Sequence, residues 1–198
     1  MKALVHTLIL TNRISLFLVM TATMSALTAQ IGISPDQSFV VPNSAYNYVE
    51  SAGDVNNDGY DDVFVSNSSY TFGGLSSRGS VYLMPGSETG LSNTPLWSVL
   101  GDSAGIYMGG DVETGDINND GLIDIVISTN TPYYSNNGKV WIFLQTIAGF
   151  SATPTTIIYS PDHLSRFGSS INLCDFNSDN YDDLIVAAPQ YDVGGVKV

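Results

Sequence analysis

DVNNDGYDD (54–62), DINNDGLID (116–124) and DFNSDNYDD (175–183) are three copies of one pattern, D-x-N-x-D-G/N-x-x-D. Oxygen-bearing side chains stand at positions 1, 3, 5 and 9 of each copy, and position 7 can offer its backbone carbonyl. A hard cation such as Ca²⁺ takes about six to eight oxygen ligands, and alternating donors of this kind suit a chain that curls around it. We therefore predict a calcium site in each copy, and we name the copies the first, second and third loops.

The three carboxylates of each loop would repel one another without a counterion, so we expect a bound divalent ion to make the loop firm. Position 6 is Gly59, Gly121 or Asn180, residue types that accept the positive φ of a sharp reversal. Up to three Ca²⁺ ions are expected, one in each loop. The predicted ligands are Asp54, Asn56, Asp58, Tyr60 and Asp62, then Asp116, Asn118, Asp120, Leu122 and Asp124, then Asp175, Asn177, Asp179, Tyr181 and Asp183.

Two other interpretations of the pattern compete with this one. An EF-hand begins in the same way, but its twelfth position carries a bidentate Glu and its flanks are helical. Here the twelfth positions are Val65, Ile127 and Val186, and each ends a short β-branched run that is typical of a strand. The copies are therefore predicted to be hairpin loops. The second alternative, that Asp, Asn and Gly merely form turns, explains one copy better than three in register.

The whole sequence around the loops repeats. The first aspartates of successive loops are 62 and 59 positions apart. An aromatic or large apolar residue stands eight positions before each of them (Tyr46, Met108 and Phe167), and a G-x-V triplet follows each strand, beginning at Gly79, Gly138 and Gly194. Each unit supplies about four short strands, and no long amphipathic helical pattern follows the N-terminus. Radially stacked four-stranded antiparallel sheets, the blades of a β-propeller, are the all-β fold that these features predict.

These landmarks resemble the FG-GAP repeats of integrin alpha-chain propellers and of many secreted bacterial proteins. The third unit is most similar, with Phe167-Gly168, its acidic loop and Asp183 to Pro189; the first two units depart from the FG and GAP triplets. The resemblance implies a disc of about seven blades. This chain is expected to hold about two complete blades, 45–104 and 105–163, and a truncated third, 164–198, so we interpret it as a fragment.

The N-terminal residues have the layout of a secretory signal peptide. A basic start, an apolar stretch and small residues up to Ala29 predict a signal peptide over 1–29, followed by a strand or linker over 30–44. An uncleaved membrane anchor is the alternative, but the apolar part is short and interrupted by Thr and Ser. We therefore expect a secreted or cell-surface protein without membrane insertion after cleavage.

The charge of the chain excludes one class of partner. The formal net charge is −13, and 11 of the 19 acidic residues lie in the three loops. Such a surface repels nucleic acid, which we exclude as a partner.

Cys174, the one cysteine, is expected to be a small buried strand residue. Asn67 begins an N-glycosylation acceptor, if the source glycosylates it.

No set of catalytic residues is expected. Gly101 to Gly105 matches G-x-S-x-G, but a nucleophile elbow needs a helix after the serine, and a turn-rich segment follows here. His163 is expected to be an exposed loop residue rather than a base. Asp61 and Asp182, at position 8 of their loops, are expected to be outward charges. Tyr60, Tyr181, Tyr133 and Tyr134 are candidates for a sugar or protein contact surface, or for packing at strand edges.

The sequence thus predicts a non-catalytic, calcium-binding propeller module that recognises an extracellular protein or glycan. One alternative is that the chain is the propeller part of a larger secreted enzyme acting on polysaccharide or lipid, whose catalytic domain lies elsewhere. Another is a purely structural spacer on a surface protein.

Overall fold

A computed structural model describes residues 48–129, 138–160, 165–193 and 196–197, and in these residues the chain is built of antiparallel strands without a helix. The first sheet contains β1 (Tyr48–Gly53), β2 (Asp62–Asn67), β3 (Ser80–Met84) and β4 (Trp97–Leu100), and the second contains β5 (Met108–Gly115), β6 (Asp124–Thr129), β7 (Lys139–Phe143) and β8 (Thr156–Tyr159). The third sheet pairs β9 (Ile171–Cys174) with β10 (Asp183–Val186), and a short separate pair joins β11 (Asp192–Val193) to β12 (Val196–Lys197).

The predicted fold class is confirmed. Both four-stranded sheets follow the order of the sequence and are antiparallel throughout, which is the arrangement of a propeller blade. The sheets recur with the same period as the sequence repeat, because each loop connects the first two strands of its own sheet. The boundaries of the predicted units stay predictions.

Several sequence predictions fall outside the described residues. These are the signal peptide (1–29), the linker (30–44), Tyr46, Tyr133 and Tyr134, His163 and the glycine of the third G-x-V triplet, Gly194. Among the residues that are described, no helix is long and apolar enough to cross a membrane.

Buried apolar side chains join successive sheets. Because neighbouring strand residues point to opposite faces, Ile125 and Ile127 of β6 join one cluster and Val126 joins another. The first cluster unites the second sheet with Phe64, Leu83 and Trp97 of the first sheet. Trp97 meets Phe143 edge-on, with ring centroids 5.0 Å apart, and its indole N–H donates to the Ser151 carbonyl at 3.0 Å. The second cluster unites Val126 and Val140 with Ile171, Leu173, Leu184 and Val186 of the third sheet.

The sequence landmarks mark points where successive repeats touch. A Cβ atom on Gly79 would collide with the backbone of Met108, and one on Gly138 would collide with the backbone of Phe167. The glycines of the first two G-x-V triplets therefore allow close approach to the large residue that opens the next repeat. The Ser66 hydroxyl fixes the same junction by donating to the Gly109 carbonyl at 2.8 Å.

Candidate metal-binding loops

The three loops reverse direction at the same two positions. Each turns through two residues with positive φ, at positions 4 and 6. The reversal at position 6 agrees with the sequence prediction. Position 4 was not predicted, although Asn at this position in the first two loops is a recognisable signal, because Asn tolerates the left-handed region. The φ values are 58°, 56° and 63° at Asn57, Asn119 and Ser178, and 89°, 80° and 72° at Gly59, Gly121 and Asn180.

The carboxylate at position 1 of each loop accepts hydrogen bonds from two backbone N–H groups of the same loop. In the first loop, the Asp54 oxygens accept from the backbone N–H groups of Asp58 and Gly59, at 3.0 and 2.8 Å. The same two bonds recur at Asp116, from positions 5 and 6 of its loop, at 3.0 and 2.8 Å. They recur again at Asp175, at 3.2 and 2.9 Å. The backbone bond from Asn180 is the largest cause that holds the pKa of Asp175 below its ordinary value.

Positions 3 and 5 are also joined within the first two loops. The Asn56 amide nitrogen donates to the Asp58 carboxylate at 3.0 Å, and the Asp58 backbone N–H donates to the Asn56 amide oxygen at 2.9 Å. Asn118 and Asp120 repeat both bonds, at 2.9 and 3.0 Å. The side chains at positions 1, 3 and 5 are therefore held on one short turn.

The closing aspartate of the first two loops is fully buried. Asp62 accepts from the N–H groups of Val55 and Gly86, at 3.1 and 2.9 Å. Asp124 accepts from those of Ile117 and Gln145, at 3.1 and 2.8 Å. Each of these carboxylates thus ties its loop to the segment that follows the third strand of the same sheet.

Burial is the main cause that raises the pKa of both Asp62 and Asp124 above the ordinary value of 3.8. The charges of Asp58 and Asp54 raise the pKa of Asp62 further, although the two backbone bonds oppose the rise. Asp120 and Asp116 act in the same way on Asp124. In the first two loops the carboxylates therefore repel one another in the folded chain, in agreement with the expectation from the sequence.

Asp183, the closing residue of the third loop, is only partly buried. Within the described part of the chain, one backbone donor reaches its carboxylate, the Phe176 N–H at 3.1 Å. Gly86 and Gln145 have no described counterpart in the third repeat. Neither residue was identified from the sequence, because nothing in its local pattern points to a loop more than 20 residues earlier.

The loops match a hard cation in donor chemistry, but their side chains are not gathered around a point. Among the described residues, no group of three or more His, Cys, Asp or Glu side chains is placed to hold a metal ion. The position 1 and position 5 carboxylates instead accept from the loop's own N–H groups. Each carboxylate oxygen has two lone pairs, so these bonds leave acceptor capacity. Three carboxylates, one amide and a carbonyl are the donor types that Ca²⁺ takes, so the residues present fit the ion.

Asp182 is not an outward charge, and this expectation was wrong. Its carboxylate accepts from the backbone N–H of Asp116 at 2.8 Å, and its own N–H donates to the Asp116 carbonyl at 3.0 Å. Position 8 of the third loop thus contacts position 1 of the second loop, because the two sheets are packed together. Asp61, at position 8 of the first loop, is exposed as expected. The first two loops are linked differently, by the Gln145 side-chain amide, which donates to the Val55 carbonyl at 3.2 Å.

The G-x-S-x-G segment lies between β4 and β5 and itself contains a turn, and β5 rather than a helix follows two residues after it. The Ser103 hydroxyl donates to the Asp102 carboxylate at 2.7 Å, and the Lys139 ammonium lies 3.0 Å from the same carboxylate. Partial burial raises the pKa of Asp102, but the bonds from Ser103 and Lys139 outweigh it and hold the pKa below its ordinary value. The Asp102–Lys139 ion pair links the connector to the second sheet.

Cys174 is exposed, so the expectation of a buried thiol was wrong. Ile171 and Leu173 of β9 face the second sheet, and strand alternation turns Asn172 and Cys174 to the other face. No described residue covers that face, where Ile185 is also 52% exposed.

Comparison with known proteins assigns the repeat. A family model described as FG-GAP-like repeat matches residues 54–127 and 116–186. The chain belongs to the FG-GAP-like repeat family. Both matches begin at the first aspartate of one loop and end at position 12 of the next, so two loops fall within each match. The resemblance predicted from the sequence is confirmed.

The FG-GAP-like chain is similar to parts of two kinds of larger protein. It is 27% identical to a phosphatidylinositol-glycan-specific phospholipase D of Rattus norvegicus over 177 residues, 82% of this chain and 21% of the relative. It is 32% identical to integrin alpha-3 of Mus musculus over 127 residues, 61% of this chain and 12% of the relative. It is 34% identical to integrin alpha-IIb of Mus musculus over 106 residues, 48% of this chain and 10% of the relative. The chain thus spans about a fifth or less of each of these proteins.

Proposed function

We propose that this chain is a calcium-binding FG-GAP propeller module of a secreted or cell-surface protein, which recognises an extracellular protein or glycan and performs no chemistry. The observation that carries the proposal is that one loop occurs three times. Each copy has the same types of predicted ligand, positive φ at positions 4 and 6, and the same backbone bonds to the carboxylate at position 1. Turn formation alone does not require three mutually repelling carboxylates in each copy.

The electrostatics of the loops support a divalent ion. Asp62 and Asp124 are buried, and each faces two further carboxylates of its loop. A bound Ca²⁺ supplies the positive charge that relieves this repulsion. The residues of the chain do the rest: position 1 fixes the turn, and the closing aspartate fixes the loop to its sheet. Affinity on the order of 10⁻⁴ to 10⁻³ M is expected, as for other extracellular modules, so millimolar calcium would fill the loops.

Thermal unfolding tests the calcium proposal. Ca²⁺ should raise the melting temperature of the parent chain relative to EDTA, because an ion that binds only the folded state stabilises it. Asp58→Ala and Asp120→Ala should each reduce that rise, since each removes one of three ligand charges. Asp61→Ala is the control, because Asp61 is exposed and lies outside the predicted ligand set. If both ligand variants respond to Ca²⁺ as the parent does, the ligand assignment is wrong.

Ligand recognition is tested separately, by binding of the chain to arrayed extracellular proteins and glycans. Binding that is lost in EDTA and restored by Ca²⁺ would support recognition by calcium-ordered loops. Binding that survives chelation would place the contact elsewhere on the chain.

A second candidate function is favoured by the similarity to phosphatidylinositol-glycan-specific phospholipase D, which covers 82% of this chain. Under this proposal the chain is the non-catalytic propeller part of a larger secreted enzyme acting on lipid or polysaccharide. The full reading frame distinguishes the two: an adjoining catalytic domain supports the enzyme, and further repeats followed by a stalk or a membrane segment support adhesion.

A further inference from the structure

We infer that Asp182 is a positioning residue for the second loop, so that calcium binding there depends on a side chain of the third loop. The inference rests on the proposed calcium function and deepens it. It concerns a residue that is not among the predicted ligands and that lies 66 positions from the residue it holds.

The contact is made to both polar backbone atoms of one residue. Asp182 accepts from the Asp116 N–H at 2.8 Å and donates its own N–H to the Asp116 carbonyl at 3.0 Å. A bond to an ionised acceptor is stronger than a neutral one, and paired bonds restrict rotation as well as distance. Asp116 is position 1 of the second loop, whose carboxylate oxygens also receive the N–H groups of Asp120 and Gly121. Asp182 therefore fixes the backbone from which the first predicted ligand projects.

The packing around the contact leaves little freedom. Gly115 precedes Asp116, and a Cβ atom added to Gly115 would fall on the Asp182 carboxylate. Gly115 is not among the residues with positive φ, so alanine suits the backbone at that position. The absence of a side chain at Gly115 makes room for Asp182. A methyl group there would displace the carboxylate without changing any predicted ligand.

The junction between the first two loops lacks this arrangement. There the Gln145 amide donates to the carbonyl of Val55, at position 2, and the position 1 residue of the first loop receives no bond from it. The residue equivalent to Asp182 at this junction is Ile123, at position 8 of the second loop, and its side chain has no polar atom. Asp61, at position 8 of the first loop, is exposed. The chain therefore contains its own matched control, a position 8 aspartate that lacks the described contact.

The contact itself is tested without metal. Hydrogen exchange of the Asp116 amide in EDTA should be slow in the parent and in Asp61→Ala, and faster in Asp182→Ala and Gly115→Ala. Asp182→Asn keeps an acceptor oxygen and should keep most of the protection. Equal protection of the Asp116 amide in the parent and in both disrupting variants would overturn the inference.

The effect on calcium is measured by calorimetric titration of the full chain. Asp58→Ala and Asp179→Ala, combined, are expected to disable the first and third loops and leave one site, in the second loop. In that background, Asp182→Ala and Gly115→Ala should weaken calcium binding about fivefold or more, the lower end of typical coupling between sites. Asp61→Ala should leave the affinity within about twofold. Asp182→Asn separates geometry from charge, because it removes the charge and keeps the acceptor.

Failure of the inference and failure of the proposed function are distinguishable. No calcium uptake by the parent chain would overturn the proposed function, and the inference with it. Uptake by the parent with unchanged second-loop affinity in Asp182→Ala would overturn the inference alone. Suppose that Asp182→Asn weakens calcium binding as much as Asp182→Ala does, while the Asp116 amide stays protected in Asp182→Asn. The effect would then be due to charge, and the inference would be overturned.

Discussion

The second and third loops have nearly the same sequence pattern, yet their closing aspartates differ. Asp124 is fully buried and accepts from two backbone segments, at Ile117 and at Gln145. Asp183 is partly exposed, and in the described part of the chain only Phe176 donates to it. Both loops nevertheless make the same position 1 bonds. The turn is therefore a property of the nine residues, and burial of its last carboxylate is a property of the sheets around it.

The largest difference between the second and third sheets should come from apolar packing. Ile127 is fully buried between the first two sheets, and Ile185 is 52% exposed. Ile127→Ala should lower the free energy of unfolding by about 2–5 kcal/mol, because it leaves a cavity in a packed core. Ile185→Ala should cost about 1 kcal/mol or less. Urea unfolding followed by tryptophan fluorescence measures both, and equal costs would contradict the described difference between the two sheets.

The closing aspartates provide the next comparison. Asp124→Ala leaves two partly buried N–H groups without an acceptor and should cost about 3 kcal/mol in EDTA, since each unsatisfied group costs about 1–3 kcal/mol and relief of repulsion offsets part. Asp183→Ala should cost about 1 kcal/mol, since one bond to a partly exposed group is lost. Chemical denaturation in EDTA tests this. A larger cost for Asp183→Ala would show that its carboxylate has more partners than the one described.

Stability in EDTA should depend on pH through the buried carboxylates. The pKa values of Asp62 and Asp124 are raised above 3.8 and that of Glu113 above 4.5, in each case mainly by burial. A carboxyl group whose pKa is raised in the folded chain stabilises the fold at pH values below its ordinary pKa. This stabilisation is lost as pH rises through the pKa of the folded state. The pKa values of Asp102 and Asp175 are lowered, so these groups stabilise the fold above pH 3.8 and lose that contribution only as pH falls below 3.8. They therefore do not oppose the change expected above pH 3.8.

The urea midpoint in EDTA should therefore fall as pH rises from 3.8, and Glu113→Gln should remove the part due to that residue. Saturating Ca²⁺ should reduce the fall, because the ion favours the ionised carboxylates. The same fall with and without Ca²⁺ would show that Asp62 and Asp124 do not meet the ion.

Much of the fold could be predicted from the sequence because the decisive signals are local. The β-branched runs after each loop indicated β2, β6 and β10, and the repeat of about 60 residues indicated sheets of equal size. The contacts that could not be predicted join residues distant in sequence. Gly86 and Gln145 reach the closing aspartates, and Asp182 reaches Asp116 across 66 positions. The first two pairings depend on how the strands of one sheet are arranged and the third on how two sheets stack, and a single sequence encodes neither position by position.

Cys174 is a second residue whose surroundings could not be predicted from the sequence. Its flanking apolar residues, Ile171 and Leu173, indicated a buried strand, and both do face the second sheet. The thiol lies on the alternate face, and whether that face is covered depends on residues outside the strand. Strand alternation explains which of these residues share a face, but whether a face is buried depends on the residues that cover it.

Calorimetric titration of the calcium-stripped, folded chain with Ca²⁺ is the most direct test of the central claim, that the three repeated loops are calcium sites that brace successive sheets. The proposal predicts up to three ions per chain, with affinities on the order of 10⁻⁴ to 10⁻³ M and a matching rise in melting temperature. The combined Asp58→Ala and Asp120→Ala variant should retain one ion, in the third loop. A folded parent chain that takes up no Ca²⁺ and melts identically in Ca²⁺ and EDTA would contradict the claim.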